Sequence, residues 1–288
     1  MIDQATELRK LVLRAMREQP IITGPPPRLI VLTGGKGGVG VTTIAVNLSV
    51  ALAEQGSRVV IVDADMHRSD VATLCGLSDY QQGTNLLDAS RDIHQVLHPG
   101  PAGIQILPGL RVHGLNEPGR SDNGLNNRGV GEISYERLQR QFATLGRHAD
   151  IVILDLGIGN GELIRRFSST ADEVLLVTTP DSVTVMEAYA RIKTDLALAS
   201  ERSLRLVVNL TTDAVQAVDV HRRINSSSQK FLNTTIAFAG HVPRDHAVSR
   251  GATSSIPFVR GEPMASASQA IDKLASALVP APSQARSA

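Results

Sequence analysis

The stretch GGKGGVGVTT at residues 34–43 crowds Gly34, Gly35, Gly37, Gly38 and Gly40 around Lys36, intersperses Val39 and Val41, and closes on two hydroxyls, Thr42 and Thr43. Glycine at this density lets successive backbone N–H groups curl inward on an anion, and a helix beginning near Thr42 adds partial positive charge at its N-terminus. The spacing fits the phosphate-loop pattern G-x-x-x-x-G-K-[ST] at Gly35, Gly40 and Thr42, with Val41 where the pattern has lysine. The backbone donors do not depend on residue 41. Thr42 offers a hydroxyl to Mg²⁺, and Thr43 reaches toward an α-phosphate. Carboxylates also close two apolar runs downstream: Asp63 and Asp65 after RVVIV, and Asp155 after IVIL. Each acid taken singly reads as a helix cap or a solvated strand end. In this order, after a glycine loop, they read as parts of one site.

Such a site needs strands to carry the acids and a helix to receive the loop. From Arg28 onward, short apolar runs alternate with helical periodicity, the pattern of a mostly parallel sheet flanked by helices on both faces, an α/β phosphate-loop fold. The runs predict strands at 29–33, 58–64, 104–107, 151–156, 173–179, 204–210 and 235–242, and helices at 42–55, 134–146, 160–170, 183–198, 215–229 and 264–278. Residues 111–131, rich in Gly and Asn without periodicity, read as a long mobile surface loop. Ahead of this domain (28–279), residues 1–19 carry Leu8, Leu11, Val12 and Ala15 at helical spacing with Asp3 as cap, an amphipathic helix short enough to need a dock. Residues 20–27, with Pro20, Gly24 and Pro25, Pro26 and Pro27, form a semi-rigid linker. The end, 280–288, reads as a disordered tail.

Composition narrows the classes. The 288 residues, 42% hydrophobic, suffice for a large core, and 29 basic against 28 acidic residues leave a formal charge of +1. That balance supplies no global field for nucleic acid or an anionic membrane. The one cysteine, Cys75, excludes an internal disulfide and reads as a small buried or half-buried thiol in a reducing cytoplasm. No stretch reads as a signal peptide or a membrane span, so a soluble, cytoplasmic protein is expected.

GGKGGVGxTT followed by VVIVDADMHRSDVATLCGL resembles the MinD/ParA class of ATPases, whose deviant loop reads KGGVGKT. The likeness extends over about residues 28–278. It implies ATP and Mg²⁺ as ligands, held by Gly35, Gly37, Gly38, Val39, Gly40, Val41, Thr42 and Thr43. It makes Lys36 the signature lysine that reaches a partner's phosphates across a homodimer. Asp63 and Asp65 match the class's D-x-D switch, with Asp65 positioning the attacking water, and Asp155 matches the acid that holds the Mg²⁺ shell together with Thr42 and Asp63. Gly157 and Gly159 match the flexible switch after it. Pro180 and Asp181 match a family turn, Asn209 the residue that bonds adenine, and Pro243, Asp245 and Val248 a late loop beside the base. The lysine missing at Val41 is the main departure.

DQATELRKLV at residues 3–12 is similar to the D-Q-A-x-x-L-R segment of the FlhG (FleN/YlxH) family of flagellar placement regulators. In that family the segment docks as a helix on the GTPase FlhF and stimulates GTP hydrolysis. The resemblance assigns Asp3, Gln4, Ala5, Leu8 and Arg9 to that contact, Gln4 ordering the partner's catalytic water and Leu8 and Arg9 anchoring the helix. Other branches fit less well. Fe–S scaffolds of the class need cysteine pairs. The class's tyrosine kinases carry a C-terminal tyrosine cluster that this tail lacks, and partition ATPases need a basic surface for DNA. The last helix, ASASQAIDKLASAL, has one lysine and a weak apolar face, which suits packing on the domain better than membrane targeting, so any membrane contact would run through partners.

Losing a lysine contact to phosphate is worth about 1.5–3 kcal/mol, roughly ten- to a hundredfold in affinity. The rate suffers further because developing charge loses its cation. The expectation is weakened nucleotide binding and strongly impaired hydrolysis. Three functions stay open: an FlhG-like regulator acting on FlhF, an active MinD/ParA-type ATPase positioning another cargo in division or chromosome partition, and a nucleotide-independent adaptor.

Overall fold

The computed structural model describes residues 25–65, 70–77, 92–109, 133–159, 161–196 and 204–279. The expected N-terminal helix, the linker up to residue 24, the loop at 111–131 and the tail at 280–288 lie outside the described residues. Residues 25–27 are non-helical, as the three prolines require.

Among the described residues eight strands form one sheet: β1 Arg28–Gly34, β2 Val59–Asp63, β3 His98–Pro99, β4 Gln105–Leu107, β5 Ile151–Asp155, β6 Glu173–Thr178, β7 Leu204–Thr211 and β8 Ala237–Pro243. Their order is β3-β4-β2-β5-β1-β6-β7-β8, with every neighbouring pair parallel except β3 and β4. The helices are α1 Val41–Glu54, α2 Val71–Leu74, α3 Tyr135–Thr144, α4 Gly161–Thr170, α5 Ser182–Asp195, α6 Ala214–Leu232, α7 His246–Ser254, α8 Phe258–Gly261 and α9 Ser266–Leu278. Seven strands and six helices match the periodicity, within a few residues at each end. The two-residue β3 and the short α2, α7 and α8 do not announce themselves, because none is long enough to show a period and α7 is rich in Ser, Thr and Gly.

Both faces of the sheet are buried, which is why its strands are continuous apolar runs. Alternate residues feed two cores. Val31, Val60, Val62, Val152 and Leu154 point to one, with Leu163 and Phe167 of α4 and Ile192 of α5. Ile30, Leu32, Ile61 and Ile153 point to the other, with Ile44 and Leu48 of α1 and Ile271 and Leu274 of α9. Helix α9 thus packs on the domain, burying Ala267, Ile271, Leu274, Ala275 and Leu278. Among the described residues no helix is long and apolar enough to cross a membrane. Cys75 is buried, and burial, reinforced by nearby Asp63, pushes its thiol up to about 12.

The topology sets the site. Strand β1 lies at the middle, with its C-terminal end level with Asp155 of β5, and Asp155 in turn pairs in register with Asp63 of β2. The glycine loop and the carboxylates therefore meet at one edge of the sheet.

Candidate functional site

The loop leaves β1 at Gly34 and enters α1 at Val41, with Gly40 as N-cap at φ 93°, a left-handed conformation that glycine adopts without strain. Two close approaches demand glycine. A Cβ on Gly40 would stand 2.4 Å from Asn209 Nδ2, and one on Gly35 would stand 2.4 Å from the Glu187 carbonyl carbon of α5. The loop, Asp65, Asp70, Gly157 and Ile158 enclose a cavity of about 270 Å³, which Lys36, Gly37, Gly38, Gly40, Val41, Thr42 and Thr43 line from the loop side. Lys36 is exposed. Val41 is buried to 6% exposure, packed in the apolar core with Val39 and Ile44 while one side of it faces the cavity.

Asp155 is wholly buried at the end of β5. Its Oδ1 accepts from Gly157 N–H at 3.0 Å, while Oδ2 is buried with no hydrogen-bond partner among the described residues. Burial lifts its pKa to about 6, an effect the Thr42 hydroxyl and the Gly157 N–H oppose and the charges of Asp65 and Asp70 reinforce. A buried carboxylate oxygen with an unused lone pair, beside a threonine hydroxyl, fits a Mg²⁺ ion and its water shell, and a divalent charge there would favour the ionised acid. Gly157, at φ 54°, accepts from both Gly34 N–H and Thr33 Oγ1 at 3.0 Å, which fastens the segment after Asp155 to the root of the loop. A Cβ on Gly157 would stand 2.0 Å from Asp65 Oδ2, so a glycine there is what lets Asp65 lean over the cavity.

Other sequence-marked residues are placed differently. Asp63 is buried and braces the chain: Oδ1 accepts from Asp65 N–H at 3.2 Å and Oδ2 from Val71 N–H at 3.3 Å. Asn209 sits behind the loop, donating from Nδ2 to Val39 O at 2.8 Å and accepting on Oδ1 from Leu210 N–H at 2.9 Å. Asp245 caps two helices, accepting from Ala247 N–H of α7 at 2.9 Å and from Ser266 Oγ and Ala267 N–H of α9 at 2.7 and 3.2 Å. Those bonds, the Ala247 N–H foremost, hold its carboxyl at about 2. Pro243 ends β8. None of Gly35, Val39, Asp63, Asp155, Asn209, Pro243 and Asp245 is among the residues that line the loop cavity. Asp3, Gln4, Ala5, Leu8 and Arg9 lie outside the described residues. Three residues carry no mark in the sequence: Ile158 and two charged ones. Asp70 lines the cavity, and Arg191 of α5 reaches the loop from behind, donating to Gly34 O and Ile158 O. Only the position of Arg191 on the buried face of its helix could have flagged it.

A glycine cradle at the end of a central parallel strand, a hydroxyl on a buried acid and a second acid above it define a phosphate-loop nucleotide-binding domain. The chain matches the CobQ/CobB/MinD/ParA nucleotide-binding domain over residues 30–258, and it belongs to that family. It is 26% identical over 87% of its length to the antiactivator FleN of Pseudomonas aeruginosa, covering 85% of that protein. It is 24% identical to the flagellum site-determining protein YlxH of Helicobacter pylori, over 88% of this chain and 82% of that one. Its fold is that of the septum site-determining protein MinD of Pyrococcus horikoshii, solved with Mg-ADP: the TM-score is 0.64 at 21% identity, over 87% of this chain and 95% of that one.

Proposed function

We propose that this protein is an FlhG-like regulator of flagellar placement or number. It binds ATP weakly with Mg²⁺, hydrolyses it slowly, and acts on an FlhF-type GTPase through residues 1–19. The observation that carries the reading is that Asp155 Oδ2, buried and without a hydrogen-bond partner among the described residues, stands beside Thr42, a donor pair that would suit Mg²⁺, while the glycine backbone lines the cavity. The similarity to FleN and YlxH supports the flagellar branch. Bound Mg²⁺ would supply charge neutralisation at the phosphates. In this reading Asp155 and Thr42 hold its shell, Asp65 orients water, and the loop N–H groups bind phosphate. Lys36, exposed on the loop, is free to serve an ATP-dependent homodimer.

Titration calorimetry with ATP and ADP, with and without Mg²⁺, tests the first half. Mg²⁺-dependent binding is expected, and its loss in Asp155→Ala; heat that ignores both the metal and Asp155 would overturn the nucleotide role. The partner role is tested by GTP turnover of an FlhF-type GTPase with peptide 1–20. Stimulation that Gln4→Ala abolishes is expected, and none at all would remove the flagellar assignment. A second reading, a nucleotide-independent adaptor, is favoured by the apolar packing of Val41 in the core, and it predicts partner stimulation with no nucleotide binding.

A further inference from the structure

Arg191 lies on the inward face of α5, the helix against which the loop packs at Gly35. Its side chain is 14% exposed. The guanidinium spreads its donors over three elements. Nε donates to Gly34 O at 3.3 Å, the last carbonyl before the loop turns. Nη2 donates to Ile158 O at 2.7 Å, in the segment after Asp155. Nη1 pairs with Asp195 one turn along the same helix, and Asp195 also accepts from Arg165 Nη1 of α4 at 2.8 Å. Burying a guanidinium is costly unless each face of the fork is matched, and here the matches are main-chain carbonyls of two separate segments. Those two segments are the walls of the cavity. Gly37 stands on one side and Ile158 on the other, with Ile158 Cδ1 3.9 Å from a Cβ on Gly37.

We propose that Arg191 is a positioning residue of the nucleotide site, a clamp that works with the Gly34 N–H and Thr33 hydroxyl bonds to Gly157 O to hold the phosphate loop and the segment Gly157–Ile158 in one frame. A lysine at position 41 would draw loop and phosphate together from inside the cavity. With Val41 there, the shape of the cradle is held from behind, by a planar fork whose geometry a flexible ammonium cannot copy. Because the fork grips Gly34 O and Ile158 O together, the segment that would meet a terminal phosphate keeps its register with the loop. The nucleotide half of this inference rests on the proposed function; the clamp itself does not.

The test uses the full chain in three forms: wild type, Arg191→Lys, and Arg191→Leu/Asp195→Leu, the double change removing along with the clamp a buried acid that would otherwise keep only Arg165. Hydrogen exchange in the absence of nucleotide reads the clamp. Amides of residues 34–40 and 156–159 are expected to exchange about tenfold faster in the double variant, and by an intermediate amount in Arg191→Lys, while those of β7 and α9 stay as in wild type. Unchanged exchange in both segments would overturn the clamp. The second readout is the ratio of affinities for a non-hydrolysable ATP analogue and for ADP, expected to fall about fivefold in the double variant. Faster exchange with an unchanged ratio would leave Arg191 a merely structural brace and overturn the positioning role. Wild type that binds neither nucleotide would sink the proposed function, and exchange alone would then decide the clamp.

Discussion

Val41 is where the chemistry of this chain turns. Its side chain is buried between loop and core, beside the Cβ position that Gly34 leaves empty, yet it borders the cavity. A lysine stem can follow the same apolar path and extend its ammonium into the cavity. Val41→Lys should therefore fold normally and bind ATP roughly ten- to a hundredfold more tightly by calorimetry, with a larger gain in turnover. Equal turnover in the two forms would mean that residue 41 does not limit the reaction. Cys75 permits a second check. Its raised pKa keeps the thiol neutral in the fold, whereas an unfolded thiol ionises above about 8.5. The unfolded state then loses a proton that the folded state keeps, so stability falls as pH rises from there toward 12. Denaturation midpoints of wild type and Cys75→Ala should diverge on that alkaline limb, the variant losing less. At this scale the loop and the acids of the site were readable, because each is a short local pattern. The placement of Asn209 behind the loop and of Arg191 beneath it was not, since both depend on which strand and helix the fold brings to Gly34 and Val39.

Among the elements, Asp245 stands out because one carboxylate closes the N-termini of both α7 and α9. A single N-cap is worth about 1 kcal/mol, so Asp245→Ala should lower stability near neutral pH by about 1–2 kcal/mol, measured by urea denaturation, with Asp245→Asn losing less. The folded pKa of about 2 lies below the unfolded value, so this contribution is complete above about pH 4 and fades as pH falls toward 2. Wild type should approach Asp245→Asn there, while Asp245→Ala keeps its deficit relative to Asp245→Asn. The long helices and buried strands were legible from periodicity, since each carries several turns or a continuous apolar run. Helix α7 is hidden because its nine residues, HAVSRGATS, are too few and too rich in Ser, Thr and Gly to show a period.

At the scale of the molecule, the near-zero net charge assigns recognition to specific surfaces rather than to a global field. If the loop works in a dimer as proposed, Lys36→Ala should abolish any ATP-dependent shift to a dimer in sedimentation. A dimer that persists in the variant would remove Lys36 from the interface. The α/β class could be read from alternation alone, but not the strand order. Nothing in the sequence says that β1 lies between β5 and β6, and it is that placement which brings Asp155 level with the root of the loop.

The chain runs outward from β1 toward β2 on one side and from β6 toward β7 on the other. A sheet that parts its connections in this way leaves a crevice at the strand ends whether or not a ligand fills it. The crevice is thus a by-product of the winding, and what it holds depends on the loop side chains that border it. A change at residue 41 can therefore alter what the crevice holds while the strands and helices that form it keep their places.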